Sequence, residues 1–166
     1  MIFATVGTHE QPFNRLLEKL DELVSQGVIN EKVIIQTGYS TYQPKYCESF
    51  QFLTYQEMWK YVEEARIVIT HGGPSSFIMP LQIGKIPIVV PRQTEFNEHV
   101  NNHQLTFANE VANRKKNIIV VEQIDDLEKD IQQYDSLIKS LSGDLVNNNQ
   151  QFNDEFTHIV EGLLQK

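Results

Sequence analysis

The stretch VITHGGPSS at residues 68–76, followed by GKIPIVVP at residues 84–91, decides the fold of this chain. It predicts a buried strand, a glycine loop, a helix start, a helix stop at Gly84 and a second buried strand. Backbone amides at such a helix start point into the loop, and the helix dipole favours negative charge there. Ser75 or Ser76 can cap the helix and still offer a hydroxyl, while paired glycines let a ligand approach the backbone. The stretch is therefore typical of a phosphate-binding turn at the carboxyl end of a parallel sheet.

Strands and helices are expected to alternate on both sides of this stretch. Apolar, β-branched runs predict strands at residues 2–6, 32–37, 50–53, 67–70, 88–90 and 118–121. Helical periodicity predicts helices at residues 16–24, 55–65, 76–83 and 97–111. The alternation indicates an α/β fold with a mostly parallel sheet flanked by helices.

Negative charge is concentrated at the C-terminal end of the chain. The formal net charge is −8, and residues 122–166 carry 10 acidic against 3 basic side chains, whereas residues 1–121 are almost balanced. This predicts a domain at residues 1–121 and an acidic helical tail at residues 122–166, with helices at 125–141 and 152–164. The apolar stripes of the tail suit packing on the domain or on a partner equally well. The negative charge argues against general nucleic-acid binding.

The chain has a single cysteine, Cys47, so it has no intrachain disulfide framework. A reducing cytoplasm is the expected compartment. The N-terminal residues lack the pattern of a signal peptide, and no window approaches the roughly 20 apolar residues that cross a bilayer. Any role at a membrane is therefore expected to come through a partner.

Two further glycine loops follow predicted strands. Gly7, Thr8 and His9 follow the first strand, and Gly38 follows the second. Ligands of open α/β sheets bind at the carboxyl edge, where these loops and the loop at residues 71–76 are expected to meet. Each loop alone is also compatible with an ordinary connecting turn. The chain lacks GxGxxG, a Walker A loop and the GxSxG nucleophile motif.

A polar segment follows the strand predicted at residues 88–90 and is expected on the same edge. It contains Arg92, Gln93, Glu98 and His99. Dense donors and acceptors suit a hydroxyl-rich ligand such as a sugar, and Arg92 suits a phosphate. Such a segment is also often only solvated. A metal site is not expected, because His99 and His103 lie one helical turn apart without a third ligand.

Four motifs resemble a known family: TVGTHEQPF, THGGPSSF, GKIPIVVPRQ and NEHVNNHQ, in that order along residues 1–121. They are similar to the donor-binding half of GT-B glycosyltransferases of family 28. The resemblance extends to the small subunit of split bacterial transferases of exopolysaccharide and capsule synthesis, the PssE/EpsF/CpsG type. A eukaryotic relative is the soluble subunit of the dolichol-linked GlcNAc transferase.

The resemblance implies a Rossmann-like domain at residues 1–121 that binds a UDP-sugar. It places the glycine loop and its serines at the diphosphate, residues 7–9 across the cleft, and residues 98–99 at the sugar. The implied substrate-binding set is Gly7, Thr8, His9, Gly38, His71, Gly72, Gly73, Pro74, Ser75, Ser76, Arg92, Gln93, Glu98 and His99.

The implied reaction is inverting transfer without a cofactor or a protein-bound metal. Arg92 and the helix amides would stabilise the UDP leaving group. A GT-B enzyme needs two facing domains and 166 residues hold one, so a membrane-associated partner is expected to bind the polyprenyl-diphosphate-linked acceptor. That partner would supply the general base, with His9 as the internal candidate, and would recruit this chain to the inner face of the cell membrane.

One position departs from the family pattern. Related full-length transferases carry a ribose-binding Glu in the helix after the glycine loop, where this chain has Met79. Galactose is the favoured sugar, through a β-1,4 linkage, with glucuronic acid and GlcNAc as alternatives. Two other functions stay open: a non-catalytic enhancer of a partner transferase, and an unrelated nucleotide-binding or flavodoxin-like module.

Overall fold

The computed structural model describes residues 1–141, which form one parallel sheet flanked by helices. The strands are β1 Ile2–Thr5, β2 Val33–Gln36, β3 Glu48–Phe50, β4 Ile67–His71, β5 Ile88–Val90 and β6 Ile119–Val120. The α-helices are α1 Asn14–Ser25, α2 Tyr55–Glu64, α3 Pro74–Gln82, α4 His103–Lys115 and α5 Asp126–Gln132. Residues 134–141 are also helical, and Thr94–Phe96 forms a 3₁₀ turn.

The strand order is β3-β2-β1-β4-β5-β6, and all neighbouring pairs are parallel. The chain moves outward from β1 through β2 to β3, then returns to the other side of β1 for β4. The topological switch point therefore lies between β1 and β4, where the two loops at the carboxyl edge leave a crevice. The predicted α/β fold with a parallel sheet is confirmed.

The core lies on both faces of the sheet, which explains why its strands are nearly continuous apolar runs. On one face, Ile2 and Ala4 pack with Leu16 and Leu20 of α1. On the other face, β-strand side chains pack against α2, α3 and α4, including Phe3, Val62, Val68, Met79, Phe77, Val89, Phe107 and Val111.

The largest departures from the predicted element bounds are at the third strand and at the start of the fourth helix. The third strand is Glu48–Phe50 rather than residues 50–53, and it lies at the edge of the sheet. The helix predicted from residue 97 begins at His103. The side chain of Asn102 accepts hydrogen bonds from the backbone and hydroxyl of Thr94, and Asn97 is left-handed with φ 56°. Asn side chains that bond the local backbone favour such turns over a helix.

Part of the acidic segment belongs to the core of the described domain. Leu127, Ile131 and Tyr134 are buried in the same cluster as Ile2. The Tyr134 hydroxyl donates to the carbonyl oxygen of Ile86 at 2.7 Å. The core therefore extends past residue 121, while the helix predicted at residues 152–164 lies outside the described residues. In residues 1–141, no helix is long and apolar enough to cross a membrane.

Candidate functional site

A cavity of about 610 Å³ opens at the carboxyl edge of the sheet, beside the switch point. Its polar wall comes from the loop after β1, the end of β4 and the first turn of α3, and its apolar wall comes from α2, the residue Leu53 just before it, and the rest of α3. The polar wall contains Thr8, His9, His71, Ser75 and Ser76, and the apolar wall contains Leu53, Tyr55, Met58, Trp59, Ile78 and Met79. A polar end beside an aromatic wall suits a ligand with a charged and a planar part.

A second hollow of about 610 Å³ lies beside α1. It is lined by Arg15 and Lys19, but also by four carboxylates, Glu18, Glu22, Glu98 and Asp125. This excess of negative charge disfavours an anionic ligand. The cavity between β1 and β4 is therefore the candidate site.

His71 ends β4 and is the central side chain of the polar wall. It is 7% exposed. The Gly73 amide donates to His71 Nδ1 at 2.9 Å, and His71 Nε2 lies 2.8 Å from Ser76 Oγ. Since Nδ1 accepts a hydrogen bond, the proton of the neutral ring is on Nε2, which donates to the Ser76 hydroxyl.

Burial lowers the pKa of His71 to about 3. The positive charge of Arg92 and the neighbouring His9 and His99 act in the same direction, whereas the nearby side chain of Gln104, whose oxygen accepts from the Gly72 and Arg92 amides, opposes them. His71 is therefore neutral across the physiological pH range, and its hydrogen-bond pattern is fixed.

Two glycines are required by the His71 ring. A Cβ on Gly73 would overlap His71 Cε1, and a Cβ on Gly7 would overlap His71 Nε2. Gly7 also has φ +77°, which side chains rarely adopt. Paired glycines predict the close approach of a ligand, whereas the group that lies against Gly7 and Gly73 in the structure is the imidazole of His71.

The glycine loop offers fewer free amides than the sequence suggests. The Gly72 amide donates to Gln104 Oε1 at 3.1 Å, and the Gly73 amide donates to His71. Pro74 has no amide hydrogen. Within residues 1–141, the Ser75 amide has no partner, and it lies in the first turn of α3. Ligand contact through Gly72 and Gly73 stays a prediction, whereas the serine groups are available as donors.

Arg92 is fully buried and does not line the cavity. Its guanidinium donates to the carbonyl oxygens of Gln11 at 2.6 Å, Glu98 at 3.0 Å and Val6 at 2.7 Å. These bonds join the loop after β1 to the loop after β5. The structure thus gives Arg92 a bracing role, and its predicted contact with a phosphate stays a prediction.

Glu98 and Gln93 also have partners within the protein. Glu98 accepts two hydrogen bonds from Arg15 at 3.0 Å and one from the Gln93 amide at 3.1 Å. The Gln93 side chain donates to the carbonyl oxygen of Glu122 at 2.9 Å. Neither side chain lines the cavity, so their predicted contacts with a sugar also stay predictions.

His9 and His99 form a stacked pair at the mouth of the site. Their ring centroids are 4.5 Å apart, with an interplanar angle of 13°. His9 Nε2 lies 2.9 Å from Gln11 Oε1, and the Gln11 amide donates to the carbonyl oxygen of Asn97. Burial, followed by His9 and Arg92, lowers the pKa of His99. Of the pair, His9 lines the cavity.

The remaining predicted residues are divided between the cavity and its support. Thr8 is exposed at the cavity, whereas Gly38 lies behind it against the carbonyl oxygen of Gly7. Trp59 and Tyr55 were assigned no role in binding from the sequence, yet they form the aromatic wall. The available signal was their place in α2, which follows β3 at this edge of the sheet. Among residues 1–141, no group of three His, Cys, Asp or Glu side chains is placed to hold a metal.

The fold is a doubly wound α/β domain with a cavity at its switch point, where ligands of such sheets bind. Residues 1–160 match the glycosyltransferase family 28 C-terminal domain, so the chain belongs to that family. The resemblance to family 28 inferred from the motifs is confirmed at this level. A comparison with curated proteins gives no significant match.

Solved glycosyltransferases share the fold at low sequence identity. The glycotransferase of kitacinnamycin is 14% identical over 99% of this chain and 42% of its own length, with a TM-score of 0.68. The spinosyn forosaminyltransferase SpnP is 13% identical over 99% of this chain and 43% of its own, with a TM-score of 0.61. Glycosyltransferase VinC, in complex with DTDP, is 14% identical over 96% and 41%, with a TM-score of 0.56. This chain therefore spans less than half the length of these structures.

Proposed function

We propose that this chain binds the nucleotide-sugar donor of a glycosyltransferase, in the cavity between β1 and β4. The observation that carries the proposal is the pair of serines, Ser75 and Ser76, at the start of α3 in a family 28 domain. Hydroxyls and a free amide at a helix N-terminus suit a diphosphate. The DTDP bound by VinC supports a nucleotide ligand for this fold.

We propose a UDP-sugar as the ligand, with its diphosphate at the serines and its nucleoside along the aromatic wall. Trp59 and Tyr55 line this wall, and a base stacks favourably on aromatic rings. Met79 lies in the same wall and has no group that accepts a hydrogen bond from a ribose hydroxyl strongly. The ribose is therefore held by other groups. UDP-galactose is the donor we propose, and a β-1,4 linkage its product.

The proposed reaction is inverting transfer. The acceptor hydroxyl attacks the anomeric carbon, the bond from that carbon to the diphosphate oxygen breaks, and the hydroxyl proton moves to a general base. The α3 dipole and the serine donors stabilise the negative charge that develops on UDP. We assign the base to the partner, with His9 as the alternative because it lines the cavity. Arg92 contributes by holding the loops in place.

We propose that the acceptor-binding half is a membrane-associated second subunit that recognises a polyprenyl-diphosphate-linked sugar. The described residues contain one doubly wound domain, and the donor site needs an opposing wall that carries the acceptor. Such a subunit would hold this chain at the cytoplasmic face of the membrane. The PssE/EpsF/CpsG-type role in exopolysaccharide or capsule synthesis belongs to the same proposal.

The proposal is tested by calorimetric titration of the purified chain with UDP and UDP-galactose, alone and with the co-expressed membrane subunit. Saturable binding to the isolated chain is the expected result. Binding only in the complex would mean that the second wall of the site comes from the partner. Absence of binding in both preparations would overturn the donor-site assignment.

The enhancer function makes a different prediction for the same complex. The internal use of the Gly72 and Gly73 amides is the observation that favours it, because these groups are then unavailable to a diphosphate. If the chain only stabilises its partner, Ser76→Ala leaves turnover by the complex unchanged. If the chain holds the donor, the same variant lowers turnover while the two subunits still copurify.

A further inference from the structure

We propose that His71 is a positioning residue that turns the Ser76 hydroxyl into a dedicated hydrogen-bond donor toward a phosphate oxygen in the cavity, without touching the ligand itself. This inference rests on the proposed donor-binding function and goes beyond it. It assigns the two side chains distinct tasks: Ser76 contacts the ligand, and His71 sets the direction of the Ser76 proton.

The hydrogen bonds that join Gly73, His71 and Ser76 have a fixed order of donors and acceptors. The Gly73 amide can only donate, so His71 Nδ1 is the acceptor of their 2.9 Å bond. The neutral ring then donates from Nε2 to Ser76 Oγ across 2.8 Å. A hydroxyl oxygen that accepts this proton must direct its own hydrogen elsewhere. Among residues 1–141, no other partner of Ser76 Oγ is found, and Ser76 lines the cavity.

The His71 ring is closely packed against the backbone. Gly7 and Gly73 lie against the imidazole so closely that a Cβ on either would overlap it. The ring is therefore held between these two glycines, and its hydrogen bonds to Gly73 and Ser76 are formed before a ligand arrives. A preorganised donor loses little orientational freedom when an anion binds, and its hydrogen bond to a charged oxygen is among the stronger kinds.

The same hydrogen-bond order requires a neutral His71 ring. A protonated imidazole would carry hydrogen on both nitrogens, and the bond from the Gly73 amide to Nδ1 would be lost. Burial and the charge of Arg92 hold the pKa of His71 at about 3. The arrangement therefore persists from pH 5 to pH 8. An imidazolium that contacted the phosphate directly would instead strengthen binding as the pH falls.

The test measures UDP affinity by calorimetry for the wild-type chain and for Ser76→Ala, His71→Asn, His71→Gln and the double variant His71→Asn/Ser76→Ala. The amide nitrogen of Gln occupies the region of the imidazole Nε2, whereas the Asn amide reaches only the region of Nδ1. We expect Ser76→Ala and His71→Asn each to weaken UDP binding about tenfold, since a charge-assisted bond is lost. His71→Gln is expected to bind UDP within about threefold of wild type, and the double variant no more weakly than Ser76→Ala alone.

One result would overturn the proposal directly: His71→Asn weakens UDP binding as much in the Ser76→Ala background as in wild type. That additivity would mean that His71 acts on the ligand itself. Absence of UDP binding to both the wild-type chain and its complex would instead overturn the donor-binding function. The two outcomes therefore distinguish an error in the role of His71 from an error in the proposed function.

A second measurement needs no ligand and no variant that must fold. Long-range ¹H–¹⁵N correlation spectra of the free protein report the tautomer of each histidine ring. The expected result for His71 is a protonated Nε2 and an unprotonated Nδ1 at every pH from 5 to 8. An Nδ1–H tautomer, or a titration of His71 in this range, would contradict the proposal.

Discussion

The two segments at residues 71–76 and 92–99 follow adjacent strands at the same edge of the sheet, yet their polar side chains point in different directions: those of the first face the cavity, and three of the second are buried. The first loop presents Ser75 and Ser76 to the cavity. The second loop turns Arg92, Gln93 and Glu98 inward, where each is at most 4% exposed. The loop richer in charge is thus the one that braces the edge, and the loop richer in hydroxyls faces the site.

The difference has a physical reason. Loops that leave a parallel sheet carry carbonyl groups that lose the regular ladder, and buried carbonyls need donors. Arg92 supplies a planar guanidinium with several donors, which reaches carbonyls on both sides of the switch point. Hydroxyls cannot bridge such distances. The charged side chains are therefore used for joining the loops, and the small side chains remain for a ligand.

The largest expected effect comes from breaking this brace. Arg92→Met leaves three carbonyl groups, those of Val6, Gln11 and Glu98, without their donor. Since each unsatisfied buried acceptor costs about 1–3 kcal/mol, we expect the variant to lower the free energy of unfolding by about 3–5 kcal/mol. Urea denaturation measures the loss. Arg114→Met is the matched control, because the Arg114 side chain is 62% exposed and, among residues 1–141, forms an ion pair with Glu110 alone. Its effect should stay below about 0.5 kcal/mol. A stable Arg92→Met variant that fails to bind UDP would give Arg92 the phosphate role.

The next effect tests how tightly the first loop is built. Gly73 has φ −70°, which any residue adopts, so backbone conformation alone predicts no penalty for Gly73→Ala. Overlap with the His71 ring predicts a loss of about 1–3 kcal/mol in the free energy of unfolding. In a His71→Ala background the loss should largely disappear, and thermal denaturation of the wild type, the two single variants and the double variant gives the coupling free energy between the two positions. An equal loss in both backgrounds would contradict the contact.

Acid should weaken the first loop through His71. Because its pKa is about 3 in the folded chain and 6.5 otherwise, the unfolded chain binds more protons below pH 6.5. Stability is therefore lost as the pH falls through 6.5, by about 2 kcal/mol at pH 5. His71→Gln removes this titration, and the difference between the two urea curves at pH 7.5 and pH 5 measures it. His99, whose pKa is also lowered, adds a loss of the same sign to both proteins. Identical pH dependence in both proteins would exclude a buried neutral His71.

The smallest effect on stability is expected at Ser75. Its side chain is exposed, and within the described residues no hydrogen bond holds it. Ser75→Ala should therefore change the free energy of unfolding by less than about 0.5 kcal/mol. Calorimetry should nevertheless show UDP binding weakened at least about threefold. A loss of stability without a change in UDP affinity would mean that Ser75 stabilises the fold and does not contact the ligand.

Local sequence patterns were sufficient for most of the fold. The apolar runs that became β1, β2, β4 and β5 end at polar or glycine loops, and parallel pairing then places these loops at one edge. The third strand was misplaced because Glu48–Phe50 is a short edge strand with exposed ends and no apolar run. The start of α4 was missed because asparagine side chains favour turns through specific bonds that composition does not reveal.

The site was less predictable because its decisive contacts join distant parts of the chain. Arg92 meets carbonyls of Val6 and Gln11, more than 80 residues earlier, and no local pattern distinguishes that partner from a phosphate. The contact of Gly7 with His71 likewise joins the loop after β1 to the end of the neighbouring strand β4, 64 residues later in the chain. The place of Trp59 in the cavity wall could not be predicted, because an aromatic residue at helical spacing in α2 is equally typical of a packed core.

The single tryptophan of the chain, Trp59, tests directly whether a nucleotide binds in the cavity between β1 and β4. Trp59 lines that cavity, so its fluorescence should report occupancy. We predict a saturable change in Trp59 emission on titration with UDP, with a midpoint that moves about tenfold higher in Ser76→Ala. UDP binding detected by calorimetry without any change in Trp59 emission would place the nucleotide elsewhere and contradict its assignment to the cavity between β1 and β4.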